Sequence, residues 1–119
     1  MILAFKATYV ACTDALGGDI LQVSFDTMLE DDENPRCSPS VLISRNFGFP
    51  ESAAIEWHNG QDYDGGAEIR SITLTRTYIT LLLNRELTIN MSFQLSNEAY
   101  ARLTVFLQRI MDDRLFFTE

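Results

Sequence analysis

The stretch LTINMSFQL, residues 87 to 95, decides the fold class of this chain. Its polar residues alternate strictly with five apolar ones: Leu87, Ile89, Met91, Phe93 and Leu95. Successive side chains of a β-strand point to opposite faces of the sheet. The pattern therefore predicts a strand with one packed and one polar face.

The spacing of the apolar residues changes immediately after this strand. Ser96 or Asn97 is a suitable N-cap, and Glu98 follows in the first turn, where a negative charge favours the helix dipole. The residues that follow at helical spacing are Ala99, Leu103, Phe106, Leu107 and Ile110. The sequence predicts an amphipathic helix of about four turns that packs on the sheet.

Alternating or apolar runs upstream predict the other strands. The predicted strands are residues 2–10, 19–28, 40–47, 52–59, 67–75 and 78–83. Loops are predicted at 11–19, 29–39 and 59–66, and short turns near Arg76 and at Asn84 to Glu86. Length and pattern together predict one α+β domain over residues 1–119. Its sheet is largely antiparallel, with about seven strands, and carries the one C-terminal helix.

The charge of the chain is strongly uneven. The net charge is −8, divided as −9 over residues 1–68 and +1 over residues 69–119. Such a field repels phosphate backbones, so no nucleic-acid partner is expected, and it attracts a basic partner. Solubility alone is the simpler interpretation of any one acidic run.

Targeting signals are not evident in the sequence. No run approaches the ~20 apolar residues of a membrane span. The first ten residues, MILAFKATYV, contain no small-residue cleavage site. We expect no membrane association and a cytoplasmic protein. Cys12 and Cys37 are expected to be two reduced thiols, because two cysteines make no disulfide framework.

The segment IEWHNGQDYDGGAEI, residues 55 to 69, contains the single Trp and the single His of the chain. Glu56 and His58 lie two apart on a predicted strand, with Asp62 just beyond, which suits a divalent metal. Asp and Asn beside Gly are also ordinary turn residues, and that interpretation is preferred. We therefore predict no metal, no cofactor and no enzyme, since no nucleophile motif accompanies the single His. Trp57 fits either an exposed interface anchor or the core.

The same segment carries a family resemblance. Residues 53 to 111, about half of the chain, resemble the immunity protein 10 family of bacterial polymorphic toxin systems. The resembling features are Ile55-Glu56-Trp57, a polar loop with Tyr63 before two glycines, Glu68-Ile69, and the final hairpin, strand and helix. Residues 12 to 49 match nothing in that pattern.

The resemblance implies a small α+β protein that binds a cognate toxin, without catalysis, in the cell that makes the toxin. The toxin is expected to present a basic surface to the acidic half of this chain. The first predicted recognition surface is Glu56, Trp57, His58, Asp62, Tyr63, Asp64 and Glu68. The second is the acidic run Glu30, Asp31, Asp32 and Glu33.

Two alternatives of other classes stay open. One is a small metal-binding domain or metal-dependent enzyme centred on Glu56, His58 and Asp62. The other is a homodimer or larger structural oligomer that uses the apolar tail of Leu115, Phe116 and Phe117, although packing of this tail within its own domain is the favoured interpretation.

Overall fold

The computed structural model of the chain describes residues 2–27, 39–48, 53–58, 63–84, 86–112 and 116–118. At residues 16, 63–67 and 117 it describes the backbone alone. These residues form nine strands and one helix. The strands are β1 (Ile2–Lys6), β2 (Tyr9–Ala15), β3 (Ile20–Asp26), β4 (Ser40–Asn46), β5 (Ala54–His58), β6 (Tyr63–Leu74), β7 (Tyr78–Leu83), β8 (Thr88–Ser92) and β9 (Phe116–Thr118). The helix, α1, spans Asn97–Met111. A short 3-10 helix, Leu16–Gly18, joins β2 to β3.

The strands from β2 to β8 form one antiparallel meander in chain order, and β1 adds to β8 in parallel at its far edge. The long strand β6 connects two parts of the sheet, because residues 63–68 pair with β5 and residues 69–74 pair with β7. We call β2 to β5 with residues 63–68 half-sheet I. Half-sheet II comprises residues 69–74 with β7, β8, β1 and β9, which pairs in parallel with β6.

The α+β prediction is confirmed. The nine described strands exceed the predicted number of about seven because one predicted strand divides and the tail adds β9, and two predicted loops also contain strand residues. The run predicted as one strand over 2–10 divides, because β1 pairs with β8 whereas β2 pairs with β3. The predicted loop at 11–19 is largely strand β2, where the ladder to β3 outweighs the weak β propensity of residues such as Asp14. Residues 63–66, predicted as loop, begin β6, and the register of β5 and β6 shifts there at a bulge. The ninth strand, β9, comes from the tail.

One apolar core lies on the inner faces of both half-sheets and beneath α1. The helix contributes Leu103, Leu107, Ile110 and Met111, and it contacts β2, β3 and β9. The radius of gyration, 13.5 Å, equals the value of about 13.5 Å expected for one compact domain of this length. The chain therefore folds as a single domain.

Both ends of α1 have defined caps. The Ser96 hydroxyl accepts a hydrogen bond from the Ala99 N–H at 3.1 Å, which confirms the predicted N-cap. Asp112 ends the helix in the left-handed conformation, at φ 56°, and its N–H donates to the Arg109 carbonyl. Asp112 also places a carboxylate at the negative end of the helix dipole.

Asp112→Gly is expected to raise the free energy of unfolding by about 0.5–1.5 kcal/mol, because glycine adopts positive φ without strain and removes the unfavourable charge. Thermal unfolding followed by circular dichroism measures it, and an upward shift of a few degrees is expected. Asp112→Ala is the control, since it removes the charge and keeps the strain. A melting temperature that falls in the glycine variant would contradict this account of the cap.

Candidate functional site

The predicted recognition residues of β5 divide between the two faces of half-sheet I. Ile55 and Trp57 are buried, whereas Glu56 is exposed and His58 is half-buried. The division follows from strict alternation in the sequence AIEWH. Glu56 and His58 thus share the outer face of half-sheet I. We define that face by the residues that alternate with the buried ones Leu21, Val23, Phe25, Val41, Ile43, Ile55 and Trp57.

Trp57 does not belong to the recognition surface, which corrects the prediction that included it. Its side chain is 6% exposed and packs in the core, opposite Val41 of the neighbouring strand. Its indole Nε1 is buried and makes no hydrogen bond to the described part of the chain. The open question of core or interface is therefore decided for the core, because odd-numbered positions of β5 face inward.

The register of half-sheet I brings the described residues that flank segments 28–38 and 59–62 to the same end of the sheet. Asp26 pairs with Ser40, Ser40 with His58, and His58 with Tyr63, so four neighbouring strands meet in one row. The chain leaves the sheet at Thr27 and returns at Pro39, and the Thr27 hydroxyl donates to the Pro39 carbonyl at 3.0 Å. Neighbouring strands lie ~4.8 Å apart. The residues that flank segment 28–38 lie on β3 and β4 and those that flank segment 59–62 lie on β5 and β6, so the two flanking pairs are about 10 Å apart. We call this row the acidic end.

The other predicted residues have three different outcomes. Glu30, Asp31, Asp32, Glu33 and Asp62 lie outside the described residues. Tyr63 and Asp64 are placed by their backbone alone, as the first residues of β6. Glu68 is exposed on the outer face but pairs with Ala54, four residues from His58 along β5, or about 13 Å from the acidic end.

The outer face of half-sheet I carries charge of one sign among the described residues. Asp26, Glu56 and Glu68 lie on it, and no described Lys or Arg does, but Arg70 is exposed just beyond its edge, two residues after Glu68 on β6. The other positions hold mostly small or neutral residues, such as Ser24 and Ser44. Sequence reasoning missed Asp26 as part of this surface. The alternation of ILQVSFD was the signal that could have found it, because it puts Asp26 on the face opposite Phe25.

The described arginines near α1 make structural contacts instead. Arg45 Nη1 donates to the Ile110 carbonyl at 3.0 Å, and Arg102 Nη2 donates to the Cys12 carbonyl at 3.2 Å. Arg76 Nη2 donates to the Leu95 carbonyl at 2.7 Å and to Asn97 Oδ1 at 3.0 Å. These contacts hold α1 and its flanking segments to the sheet. Of the described arginines in the second half of the chain, Arg76 and Arg102 thus lie around α1, whereas Arg70 is exposed on β6.

The same arginines lie over aromatic rings. Their guanidinium carbons are 4.7 to 5.9 Å from the ring centroids in four pairs: Arg45 with Phe47, Arg76 with Tyr100, Arg102 with Phe106, and Arg109 with Phe47. Such stacking is favourable at about 0.5–1 kcal/mol for exposed pairs. These arginines therefore stabilise α1 and the segments that contact it.

The metal alternative depends on Asp62 and is not tested by the described residues. Glu56 and His58 share the outer face, and among the described positions no group of three or more His, Cys, Asp or Glu side chains could hold a metal ion. Half-burial raises the pKa of the Cys12 thiol above its usual value, and Arg102 lowers it by a smaller amount. The protonated thiol is therefore favoured, and a thiol is a weaker nucleophile than a thiolate.

The tail and half-sheet II bear on the oligomer alternative. Phe116 pairs with Ile72 of the same chain and is half-buried against the core, as the favoured interpretation expects. Leu115 lies outside the described residues, and so does the side chain of Phe117. On the outer face of half-sheet II, Ile2 is 72% exposed and Leu82 is 44% exposed, beside an open groove lined in part by Tyr78 and Asn90.

Comparisons with models of protein families, with curated proteins and with solved structures find no match to this chain. In the part of the chain that the structure describes, no helix has the length and apolar character that a membrane crossing requires.

Proposed function

We propose that this chain is a bacterial immunity protein that binds a cognate toxin of a polymorphic toxin system and neutralises it by occlusion, without catalysis. The protein would act in the cytoplasm of the cell that makes the toxin. The proposal takes its biological role from the resemblance of residues 53 to 111 to the immunity protein 10 family.

The observation that carries the proposal is the row of Asp26, Ser40, His58 and Tyr63. The described residues that flank both acidic segments of the sequence therefore lie at one end of half-sheet I. Segment 28–38 contains four carboxylates and one arginine, and segment 59–62 adds Asp62. Charges that lie within a Debye length of about 8 Å to 10 Å of each other act together on a partner. A partner with a basic surface would gain association rate and specificity from such a site.

Affinity capture tests the proposal. The purified protein serves as bait against a lysate of its own organism, and captured proteins are identified by mass spectrometry. The expected result is stoichiometric recovery of one secreted protein through its C-terminal toxin domain. Co-expression of that domain with this chain is expected to restore growth of cells that the domain alone kills. Capture of no such protein, or capture without protection, would contradict the proposal.

Glu56→Lys is expected to raise the Kd for the captured toxin domain about 10- to 100-fold, because it reverses an exposed charge two residues from the acidic end. Calorimetry measures the Kd, and the loss should shrink as ionic strength rises. Glu98→Lys is the matched control: it makes the same charge change on an exposed residue in the first turn of α1. Equal losses in both variants would show that only net charge matters.

A further inference from the structure

We propose that the open edge of β1 is an interface between two copies of this chain, which pair their β1 strands antiparallel about a two-fold axis at Ala4. Such a dimer is independent of toxin binding. It also uses a surface other than the apolar tail, residues 115 to 117.

The backbone of β1 turns part of its hydrogen-bonding groups away from the described sheet. β1 is the terminal strand of that sheet, and the Ala7 N–H, just after β1, donates to the Ser92 carbonyl of β8 at 2.8 Å. Successive residues of a strand turn their N–H and C=O groups to opposite edges. The odd-numbered residues of β1 therefore bond to β8. The even-numbered ones, Ile2, Ala4 and Lys6, turn their N–H and C=O groups to the open edge.

The two edge strands of the described sheet differ in what covers them. β2 contacts α1, and its Cys12 carbonyl accepts a hydrogen bond from Arg102 Nη2 at 3.2 Å. Among the described elements, β1 makes extensive contact with β8 alone. Ile2 is 72% exposed, and Ala4 and Lys6 are also exposed. An uncovered sheet edge is a template for pairing with another strand, so β1 is the edge at which a further strand would add.

The sequence of β1, ILAFK, is complementary to itself in an antiparallel pair. With the two-fold axis at Ala4, each Ile2 lies opposite Lys6 of the second copy, and each Leu3 lies opposite Phe5. Facing apolar side chains stabilise a strand pair, whereas like charges directly opposite each other destabilise it. The two lysines are about 14 Å apart along the strands, beyond the Debye length of about 8 Å. The open residues of both copies then form about six hydrogen bonds.

Charge also favours this edge for a second copy. The chain carries a net charge of −8, so two copies repel each other. The strands of half-sheet II contain Lys6 and Arg70 and no Asp or Glu, whereas carboxylates occur in the strands of half-sheet I. Glu68 and Glu86, the described carboxylates closest to these strands in sequence, lie beyond their ends. Two acidic chains therefore approach each other with the least repulsion through half-sheet II, to which β1 belongs.

The small size of the contact sets the expected affinity. Five residues of a strand extend about 17 Å, and one such pair covers less than the about 800 Å² per partner of a stable interface. We therefore expect a weak dimer with a Kd of about 10–100 μM.

Analytical ultracentrifugation of the full chain tests the proposal. Sedimentation equilibrium from about 5 μM to about 500 μM brackets the expected Kd and should show reversible dimerisation. Ala4→Lys places two like charges directly opposite each other and is expected to raise the Kd at least ten-fold. Ala11→Lys is the matched control, because Ala11 is an exposed alanine of β2, the edge that contacts α1. This control should change the Kd less than two-fold, and circular dichroism checks that both variants stay folded.

Single cysteines test the register, in a chain that carries Cys12→Ser and Cys37→Ser. Ala4→Cys brings two thiols to opposing positions whose Cα atoms are about 5.5 Å apart, within the range for a disulfide. Ile2→Cys leaves the two Cα atoms about 14 Å apart along the strands, too far for a disulfide. Under mild oxidation, Ala4→Cys is expected to form a covalent dimer at least ten-fold faster than Ile2→Cys.

Four results would overturn the proposal. One is a chain that stays monomeric up to about 500 μM. Equal effects of Ala4→Lys and Ala11→Lys would show that self-association does not use β1. Cross-linking of Ile2→Cys as fast as that of Ala4→Cys would reject the register. A monomeric chain that loses binding to the captured toxin through Ala4→Lys would assign the β1 edge to a strand of the toxin. Dimerisation through β1 with no toxin captured would support this interface while the proposed function fails.

Discussion

Trp57→Ala is expected to lower the free energy of unfolding by about 3–5 kcal/mol, because it deletes a large buried side chain and leaves a cavity. Trp57 is 6% exposed and lies in the inner-face row with Phe25 and Val41. A domain of ordinary stability has about 5–15 kcal/mol in total, so this loss removes a large part of it. Urea unfolding followed by circular dichroism at 222 nm measures the change without needing the lost fluorophore.

Trp57→Phe is the matched control for this prediction. It keeps an aromatic ring in the core and removes the Nε1 donor, which is buried without a hydrogen bond to any described residue. An unsatisfied buried donor costs about 1–3 kcal/mol, so its removal offsets part of the lost volume. The phenylalanine variant is expected to stay within about 1.5 kcal/mol of the wild type. If the alanine variant unfolds as the wild type does but loses partner binding, Trp57 is an interface residue and the core assignment is wrong.

Leu107→Ala is expected to cost about 2–5 kcal/mol, because Leu107 is fully buried where α1 packs on the sheet. Most of the stability of a helix in a protein comes from packing of its apolar face. The substitution should therefore weaken the attachment of α1 to β2 and β3 as well as lower global stability. Denaturant unfolding measures the global change, and hydrogen exchange of the α1 amides measures the local one.

Val105→Ala is the control for the helix prediction. Val105 lies two residues away on the same helix and is 52% exposed. Alanine has the higher helix propensity, so this substitution should leave stability unchanged or raise it by a few tenths of a kcal/mol. Equal losses in the two variants would mean that α1 does not present Leu107 to the core.

The sequence predicted the placement of Glu56 and His58, the polar candidate residues on β5, but it did not predict the buried position of Trp57. Strict alternation in AIEWH places Glu56 and His58 on one face, and the structure places them there. Alternation does not say which of two mixed faces is the core. Trp57 shares its face with Ile55, whereas Glu56 and His58 are polar, and this grouping already favoured the inward position. Trp57 was nevertheless predicted among the recognition residues, because aromatic side chains are common at protein interfaces.

The acidic end could not be predicted, because it depends on register between strands that are distant in sequence. Asp26 and Tyr63 are 37 residues apart, yet both lie in the row that includes Ser40 and His58. The division of residues 2–10 between β1 and β2 also depends on pairing with other strands of the sheet. A period of two identifies a strand, but both halves of this run satisfy it, and only the partners β8 and β3 separate them.

Patterns that act over a few residues determined several elements of this protein. The alternation in LTINMSFQL produced β8, the spacing after it produced α1, and Ser96 capped the helix as its hydroxyl allows. The tertiary structure alone decided which strands pair, which face α1 covers, and that the arginines around α1 bind carbonyls and stack on rings. The physical reason is the distance along the chain over which each interaction acts. Side-chain direction and capping depend on neighbours within one turn or one pleat. Pairing and burial depend on which distant segments together remove the most apolar surface from water.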